Sequence, residues 1–369
     1  MRRPENTDFL RLCTIFILKG CASSNCIRSP KLREIMVNGP DEIFVERAGR
    51  LTRHTETFES AQKLSDVVQQ IVAGCNRVVN EASPIVDARL KNGARVNIVL
   101  APIALNGPIL TIRRFPEKPI TMDGLIAFGA LPKELFRFLS VLVKAGCNIF
   151  ISGGTGSGKT TFLNALSDSV PEDERVITIE DNAELQIRHI PNLVRMEARN
   201  ANVEGCQEIT IRDLIKSSLR MRPDRIIVGE VRGSEAIDMI QAMNTGHDGS
   251  MSTGHANSTK DMLSRLETMI LMGMELPLPA VRRQIASAID VIVHLSRMRD
   301  KSRKLVEICE VTGRIDAVTG EVETRPLFVF RETGQDAAGN IIGKWEKQHD
   351  FQNTEKIRAA GLSLPAYAG

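Results

Sequence analysis

The chain has 369 residues, a formal net charge of +3 and 42% hydrophobic residues. This length predicts two domains, or one large domain with an appendage, and the balanced composition excludes a disordered or fibrous chain. The near-neutral charge and the low aromatic content, 4%, disfavour a protein that stacks nucleic-acid bases in a basic groove. We therefore expect no direct nucleic-acid partner.

The cysteines and the apolar stretches indicate the compartment. The seven cysteines form no C-x-x-C pair and have no histidine at metal-ligand spacing, which predicts reduced cytosolic thiols and no zinc site. The longest apolar stretch near the start, residues 12–18, is too short to span a bilayer. A basic start and Cys21 resemble an export signal, but Glu5, Asp8 and Lys19 argue against one.

The first part of the chain predicts a small domain. Residues 1–30 form an unpatterned N-terminal segment. Beyond it, apolar periodicity and turn residues predict an α+β domain over residues 31–112. Its predicted elements are strands at 34–37 and 43–46, a helix at 61–73 capped by Ser60, and a hairpin formed by 86–90 and 94–100.

The second part predicts an α/β domain. A strand over 109–115 is broken by Pro116 and Pro119 before a helix that starts at Thr121 or Asp123, so we place a linker or hinge at 113–125. Over 126–330, short β-branched strands alternate with helical patterns, which is typical of a parallel sheet. These strands are predicted at 147–151, 175–179 and 225–229. The glycine content of residues 331–369 predicts a loop-rich C-terminal appendage.

The clearest motif follows the first of these strands. It has the pattern G-x-x-x-x-G-K-T and leads into a helical pattern that begins with Thr161. Glycines let backbone N–H groups turn toward phosphates, and the N-terminus of a helix adds positive potential. We expect Lys159 to reach the β- and γ-phosphates and the Thr160 hydroxyl to bind Mg²⁺. The motif thus predicts binding of ATP and Mg²⁺ by Gly153, Gly154, Thr155, Gly156, Ser157, Gly158, Lys159, Thr160 and Thr161.

Two acidic residues stand at the ends of predicted strands. Glu230 follows the strand at 225–229, and Glu180 follows the strand at 175–179. Gly229 occupies the position where most enzymes with a phosphate loop place a Mg²⁺-binding aspartate. Because catalytic groups collect at the carboxyl ends of parallel strands, we expect both glutamates near one nucleotide. One would polarise the attacking water and the other would hold metal-bound water. The alternative for Glu180 is capping of the turn after its strand.

Histidines and arginines supply further candidates. The spacing of His247 and His255 fits no zinc motif, and it predicts either a sensor of the γ-phosphate or two histidines in surface turns. Arginines crowd the segments around the motifs. They form either a solvated face or a set of contacts to phosphate, with Arg113 and Arg114 placed in the proposed hinge.

The motifs in this order resemble the secretion ATPases of type II secretion, type IV secretion and type IV pilus systems. The matching segments are the phosphate loop at 153–160, the acidic box at 178–185, the Gly-Glu segment within 222–232 and the histidine box at 246–257. Residues 35–40, 86–90, 93–97 and 111–115 resemble the tight-adherence (Tad/Flp, CpaF-like) pilus assembly branch.

This resemblance implies a RecA-like P-loop ATPase domain hinged to a smaller N-terminal α+β domain. It further implies a homo-hexameric ring in the cytoplasm, peripheral to the inner membrane, that hydrolyses ATP to drive an inner-membrane platform protein and the pilin export machinery. Within it, Lys159 and Thr160 bind phosphate and magnesium, Glu180 and Glu230 are the catalytic acids, and His255 belongs to the sensing box. The residues implied to approach the phosphates are Arg113, Lys216 and Arg220.

Three other readings remain open at this point. An ATPase of a type IV secretion or conjugation apparatus would have the same residues at every position to which a chemical role is assigned above. A RecA-like nucleic-acid translocase would be stimulated by single-stranded DNA, which the sparse aromatic residues disfavour. A non-hydrolysing ring subunit is suggested by two departures from the family pattern, Gly229 and the lysine at Lys216 where arginine is usual. Gly254, in place of a larger apolar residue, is a third departure.

Overall fold

The structure is a computed structural model that describes residues 32–47, 50–75, 77–90, 93–114, 119–199 and 207–366. The chain divides into two compact units, a smaller one before Pro119 and a larger one that begins at Pro119. The N-terminal segment predicted at 1–30 lies outside the described residues.

The smaller unit is built on a six-stranded antiparallel sheet. Its order is β3-β2-β1-β6-β5-β4, with β1 (Leu32–Asn38), β2 (Ile43–Arg47), β3 (Arg50–Arg53), β4 (Ile85–Arg89), β5 (Arg95–Val99) and β6 (Ile109–Arg113). Helix α1 (Ala61–Gly74) begins after Ser60, whose hydroxyl accepts a hydrogen bond from the Lys63 N–H. The apolar stripe of α1 is buried in one core with residues of the sheet, and this stripe comprises Leu64, Val67, Val68, Ile71 and Val72. The predicted helix and hairpin are confirmed.

The larger unit is built on a nine-stranded sheet. Its order is β15-β14-β13-β12-β7-β11-β10-β8-β9. The strands are β7 (Ile149–Gly153), β8 (Val176–Glu180), β9 (Leu193–Glu197), β10 (Arg225–Val228), β11 (Met251–His255), β12 (Val291–Arg297), β13 (Arg303–Ile315), β14 (Val322–Gln335) and β15 (Ile341–Lys347). The strands from β12 to β9 run parallel, whereas β12 to β15 pair antiparallel. The carboxyl ends of β7, β8, β10 and β11 therefore lie along one edge of the sheet.

Helices cover both faces of this sheet. They are α2 (Met122–Ala127), α3 (Lys133–Lys144), α4 (Lys159–Ser167), α5 (Ile211–Ser218), α6 (Ala236–Asn244), α7 (Thr259–Gly273), α8 (Leu278–Ala288) and α9 (Glu355–Ala359). Ile149 and Ile151 of β7 share a core with α3 and α4, whereas Phe150 shares a second core with α6, α7 and α8. Because successive side chains of a strand point to opposite faces, the sheet is covered on both sides.

The structure differs from the predicted loop-rich appendage at 331–369. Residues 331–335 complete β14, and β15 pairs with it. The glycines that suggested loops have local roles. Gly339 lies in the hairpin turn with a φ of 83°, and a Cβ at Gly343 would lie 2.4 Å from a ring carbon of Phe330 on the neighbouring strand. Glycine inside a strand commonly marks such a close approach.

Candidate active site

The phosphate-loop motif connects the buried strand β7 to helix α4. Strand β7 lies between β11 and β12, and its last residue, Gly153, pairs with His255 on one side and Leu295 on the other. Gly156 and Gly158 have φ values of 72° and 95°, a region that favours glycine. The first N–H groups of α4 have no partner within the helix and are available to an anion.

Groups inside this loop fit a triphosphate. Lys159 is only 7% exposed, and its Nζ donates hydrogen bonds to the carbonyl oxygens of Gly153 at 3.0 Å and Gly154 at 3.1 Å. Burial lowers the pKa of Lys159, while the nearby Glu230 carboxylate acts to raise it. The Ser157 hydroxyl is buried and has no hydrogen-bond partner among the described residues. Phosphate oxygens would provide acceptors for the ammonium, for this hydroxyl and for the N–H groups of α4.

The same site offers few protein ligands for a metal. No cluster of three or more His, Cys, Asp or Glu side chains able to hold a metal ion occurs within the described ranges. Magnesium beside a nucleotide takes many of its ligands from phosphates and water, so a protein site needs only one or two oxygens. The Thr160 hydroxyl lies in the first turn of α4, and its role with the Glu230 carboxylate in holding Mg²⁺ stays a prediction.

Glu230 connects three of the predicted motifs. One carboxylate oxygen, Oε2, accepts hydrogen bonds from Arg232 at 2.6 and 2.9 Å, and the other, Oε1, contacts Nδ1 of His255. Arg232 also donates to Oδ2 of Asp181 at 3.3 Å. The structure thus brings Glu230 and His255 together, places the Glu230 charge near Lys159, and adds Arg232 as the bridge to the acidic box.

Glu180 is the last residue of β8 and is only 3% exposed. Its Oε2 accepts hydrogen bonds from the N–H groups of Glu184 at 2.8 Å and Leu185 at 2.9 Å, which is the turn-capping role. Its Oε1 is buried and has no hydrogen-bond partner in the part of the chain that is described. Burial raises the pKa of Glu180 to about 7, against the lowering effect of the two N–H groups. A carboxyl with such a pKa can exchange a proton near neutral pH.

Two departures from the family pattern are explained by packing. A Cβ at Gly229 would lie 2.9 Å from Cγ of Glu180, so the close approach of Glu180 requires a glycine here. A Cβ at Gly254 would lie 2.8 Å from Cε of Met262 and 2.9 Å from Cε1 of Phe150. In both places a neighbouring side chain occupies the space that a larger residue would take.

We expect Gly229→Ala to lower ATP turnover together with stability. The added methyl group must displace Glu180 from its two N–H donors, and such overpacking typically costs about 1–3 kcal/mol. Chemical unfolding and steady-state turnover measure the two effects. Gly74→Ala is the matched control, because nothing lies within 4 Å of a Cβ at Gly74. Wild-type turnover in Gly229→Ala would contradict the close packing of Glu180.

The arginines divide into separate groups. Arg225 is 1% exposed at the amino end of β10, where it bonds both carboxylate oxygens of Glu174 at 2.8 Å, so it does not belong to a solvated face. Nζ of Lys216 lies 3.9 Å from Oδ1 of Asp238. Arg220 is exposed in the turn after α5. Arg113 is the exposed last residue of β6 in the smaller unit, and its approach to phosphate stays a prediction.

Some neighbours of the phosphate loop had no signal in the sequence. Arg303, which begins β13, donates from Nε to the carbonyl oxygen of Gly156 at 3.2 Å. The side chain of His294 on β12 lies against Ser152, the residue before Gly153. Only the order of strands, with β12 next to β7, brings these residues to the loop. His247, by contrast, bonds the carbonyl oxygen of Ala242 in a turn, as in the surface-turn alternative.

Comparison with known proteins gives consistent matches. The family described as "Type II/IV secretion system protein" matches residues 22–343. A putative conjugal transfer protein of Mycobacterium tuberculosis is 38% identical over 297 residues, which cover 78% of this chain and 83% of that protein. A type IV secretion system protein PtlH homolog of Bordetella bronchiseptica is 32% identical over 303 residues, 75% of this chain and 89% of that protein.

Solved structures support the fold. The ATPase DotB of Yersinia pseudotuberculosis superposes with a TM-score of 0.56 at 16% identity, covering 84% of this chain and 80% of that one. Together with the sheet order and the phosphate loop, this confirms the predicted class, α/β with a RecA-like P-loop domain and a smaller N-terminal α+β domain.

Proposed function

Because the chain belongs to the type II/IV secretion system protein family, we propose that it hydrolyses ATP as the homo-hexameric motor of a secretion machine. The observation that supports this proposal is the contact of Glu230 with His255 beside Lys159, at the carboxyl edge of the parallel sheet. This arrangement puts a carboxylate, an imidazole and an ammonium next to a loop suited to phosphates.

The roles follow from these positions. Lys159, Ser157 and the N–H groups of α4 bind the phosphates, and Thr160 holds Mg²⁺, which when bound neutralises charge on the phosphates. Glu230 is partly exposed and lies near Lys159, so we assign to its carboxylate the role of the base that takes a proton from the attacking water. His255 holds Glu230 Oε1 and belongs to the sensing box. Glu180 acts as the second acid from its buried position.

The relatives favour one kind of machine. Those described above carry the names conjugal transfer protein and type IV secretion system protein. We therefore assign the motor to a type IV secretion or conjugation apparatus, ahead of the Tad/Flp pilus assembly machine. The pilus reading remains the second candidate because residues 35–40 and 111–115 resemble that branch.

The motor would work in the cytoplasm, peripheral to the inner membrane. Among the described residues, no helix has both the length and the apolar character needed to cross a membrane. The proposed link to the membrane is an inner-membrane platform protein of the secretion or pilus system. No direct nucleic-acid contact is proposed.

Steady-state hydrolysis by the purified chain tests the motor. We expect ATP turnover well above that of Lys159→Ala, which lacks the ammonium that reaches the phosphates, and no stimulation by single-stranded DNA. ATP binding without turnover above Lys159→Ala would support a non-hydrolysing ring subunit, and stimulation by DNA would support a translocase. Deletion of the gene should then abolish conjugation or protein secretion, whereas loss of surface pili alone would favour the pilus reading.

A further inference from the structure

A buried histidine lies directly beneath the phosphate loop. His294 on β12 is 7% exposed and pairs in register with Ser152, the residue that precedes Gly153. The Ser152 hydroxyl, itself fully buried, lies 2.7 Å from Nδ1 of His294. The phosphate loop begins at Gly153, so the imidazole contacts the side chain of the residue immediately before the loop.

The same imidazole also lies close to the loop that follows the histidine box. The backbone of Asn257, two residues beyond His255, lies close enough to the ring to act on it, and it raises the pKa of His294. Burial is the larger effect and lowers the pKa of His294, which favours the neutral ring, and Nδ1 of a neutral ring can accept a hydrogen bond from the Ser152 hydroxyl.

A second contact holds the same loop from the next strand. Glu307 lies opposite His294 on β13, and it accepts a hydrogen bond from the Thr259 hydroxyl at 2.6 Å. Thr259 is the first residue of α7 and is 5% exposed. The loop after the histidine box is thus bonded to β13 through Thr259 and lies close to His294, the facing residue of β12, which is itself bonded to the strand that carries the phosphate loop.

We propose that His294 is a positioning residue that sets the loop after His255 relative to the phosphate loop, and through it the contact of His255 with Glu230. The proposal rests on the hydrolytic function assigned to Glu230. The phosphate loop has other supports, because β7 pairs on both sides and Lys159 bonds the carbonyl oxygens of Gly153 and Gly154. Loss of His294 therefore acts on turnover more than on ATP binding.

The experiment compares His294→Leu, which removes the hydrogen bond with Ser152 and the polar ring beside Asn257, with His294→Gln, which keeps one donor and one acceptor. The double variant Ser152→Ala/His294→Leu leaves no hydroxyl unpaired at Ser152, and it replaces His294→Leu if that variant does not fold. His189→Leu is the matched control. His189 bonds the carbonyl oxygen of Val170, beyond the end of α4 that lies away from the phosphate loop.

Two readouts are expected to change together. In His294→Leu, amide hydrogen exchange in residues 254–260 should accelerate about tenfold or more. The value of kcat should fall about tenfold or more, with KM for ATP changed less than about threefold. His294→Gln should recover most of both, and His189→Leu should change neither. Unchanged exchange, an increase in KM that matches the loss in kcat/KM, or no recovery in His294→Gln would each overturn the proposal.

Failure of the motor itself gives a different result. If the wild type shows no turnover above Lys159→Ala, the proposed function fails. The positioning role is then decided by hydrogen exchange in residues 254–260 alone, because that readout needs neither ATP nor hydrolysis.

Discussion

Replacing Glu230 by glutamine is expected to lower ATP turnover by about 10²- to 10⁴-fold, the usual effect of removing a general base. Glutamine retains the size of the side chain and an oxygen that Arg232 can bond, but an amide does not take a proton from water. ATP affinity should stay within a few-fold of the wild type, because Lys159 and the N-terminus of α4 are the groups proposed to bind the phosphates. Phosphate release and binding of a fluorescent ATP analogue measure the two quantities.

A neighbouring glutamate provides the control for this substitution. Glu235 accepts hydrogen bonds from the N–H groups of Arg232 at 2.6 Å and Gly233 at 2.9 Å, which an amide oxygen can also accept. Glu235→Gln should therefore keep turnover within a few-fold of the wild type. Wild-type turnover in Glu230→Gln would reject Glu230 as the base and leave Glu180 as the remaining acid.

Replacing Glu180 by glutamine is expected to remove a dependence of stability on pH. Burial raises the pKa of Glu180 from its ordinary value of 4.5 to about 7. Between these values the folded chain binds more protons than the unfolded chain, so the free energy of unfolding falls as pH rises. A shift of roughly 2.5 units corresponds to about 3 kcal/mol, fully present below pH 4.5 and lost above pH 7. A glutamine side chain is neutral at every pH, so the variant lacks this fall in the free energy of unfolding.

The measurement is urea unfolding of both proteins at pH 5, 6, 7 and 8. Trp345, the single tryptophan of the chain, lies on β15 of the larger unit and reports its unfolding by fluorescence. Between pH 5 and pH 8, the free energy of unfolding of the wild type should fall by about 2–3 kcal/mol more than that of Glu180→Gln. If the free energy of unfolding of the wild type instead rose relative to that of the variant over this range, the result would contradict a buried, unpaired carboxyl. Loss of turnover in Glu180→Gln would add a catalytic role to the structural one.

The local parts of the site could be predicted because their signals lie in short segments. The phosphate loop, the acids at strand ends and the stripe of α1 each depend on spacing within about a dozen residues. Residues that are distant in sequence could not be predicted. His294 and Ser152 are 142 positions apart, and Arg225 and Glu174 are 51 apart, so each pair exists only through the strand order. In the sequence, Gly229 is a departure from the family pattern and Gly343 predicts a loop. The reason for each glycine is a side chain of a neighbouring strand, Glu180 or Phe330, which the local sequence does not reveal.

The nine-stranded sheet ends in β15 on one side, and that strand carries consequences for assembly. An exposed edge strand is a template on which another chain can add its own strand. Lys344, Glu346 and Lys347 occupy the second half of β15, and a strand added there would have to accommodate these charges. Copies of the chain are thereby discouraged from joining into an open-ended fibre of continuous sheet. A charged edge strand of this kind is compatible with the proposed homo-hexameric ring, which would contain a fixed number of copies.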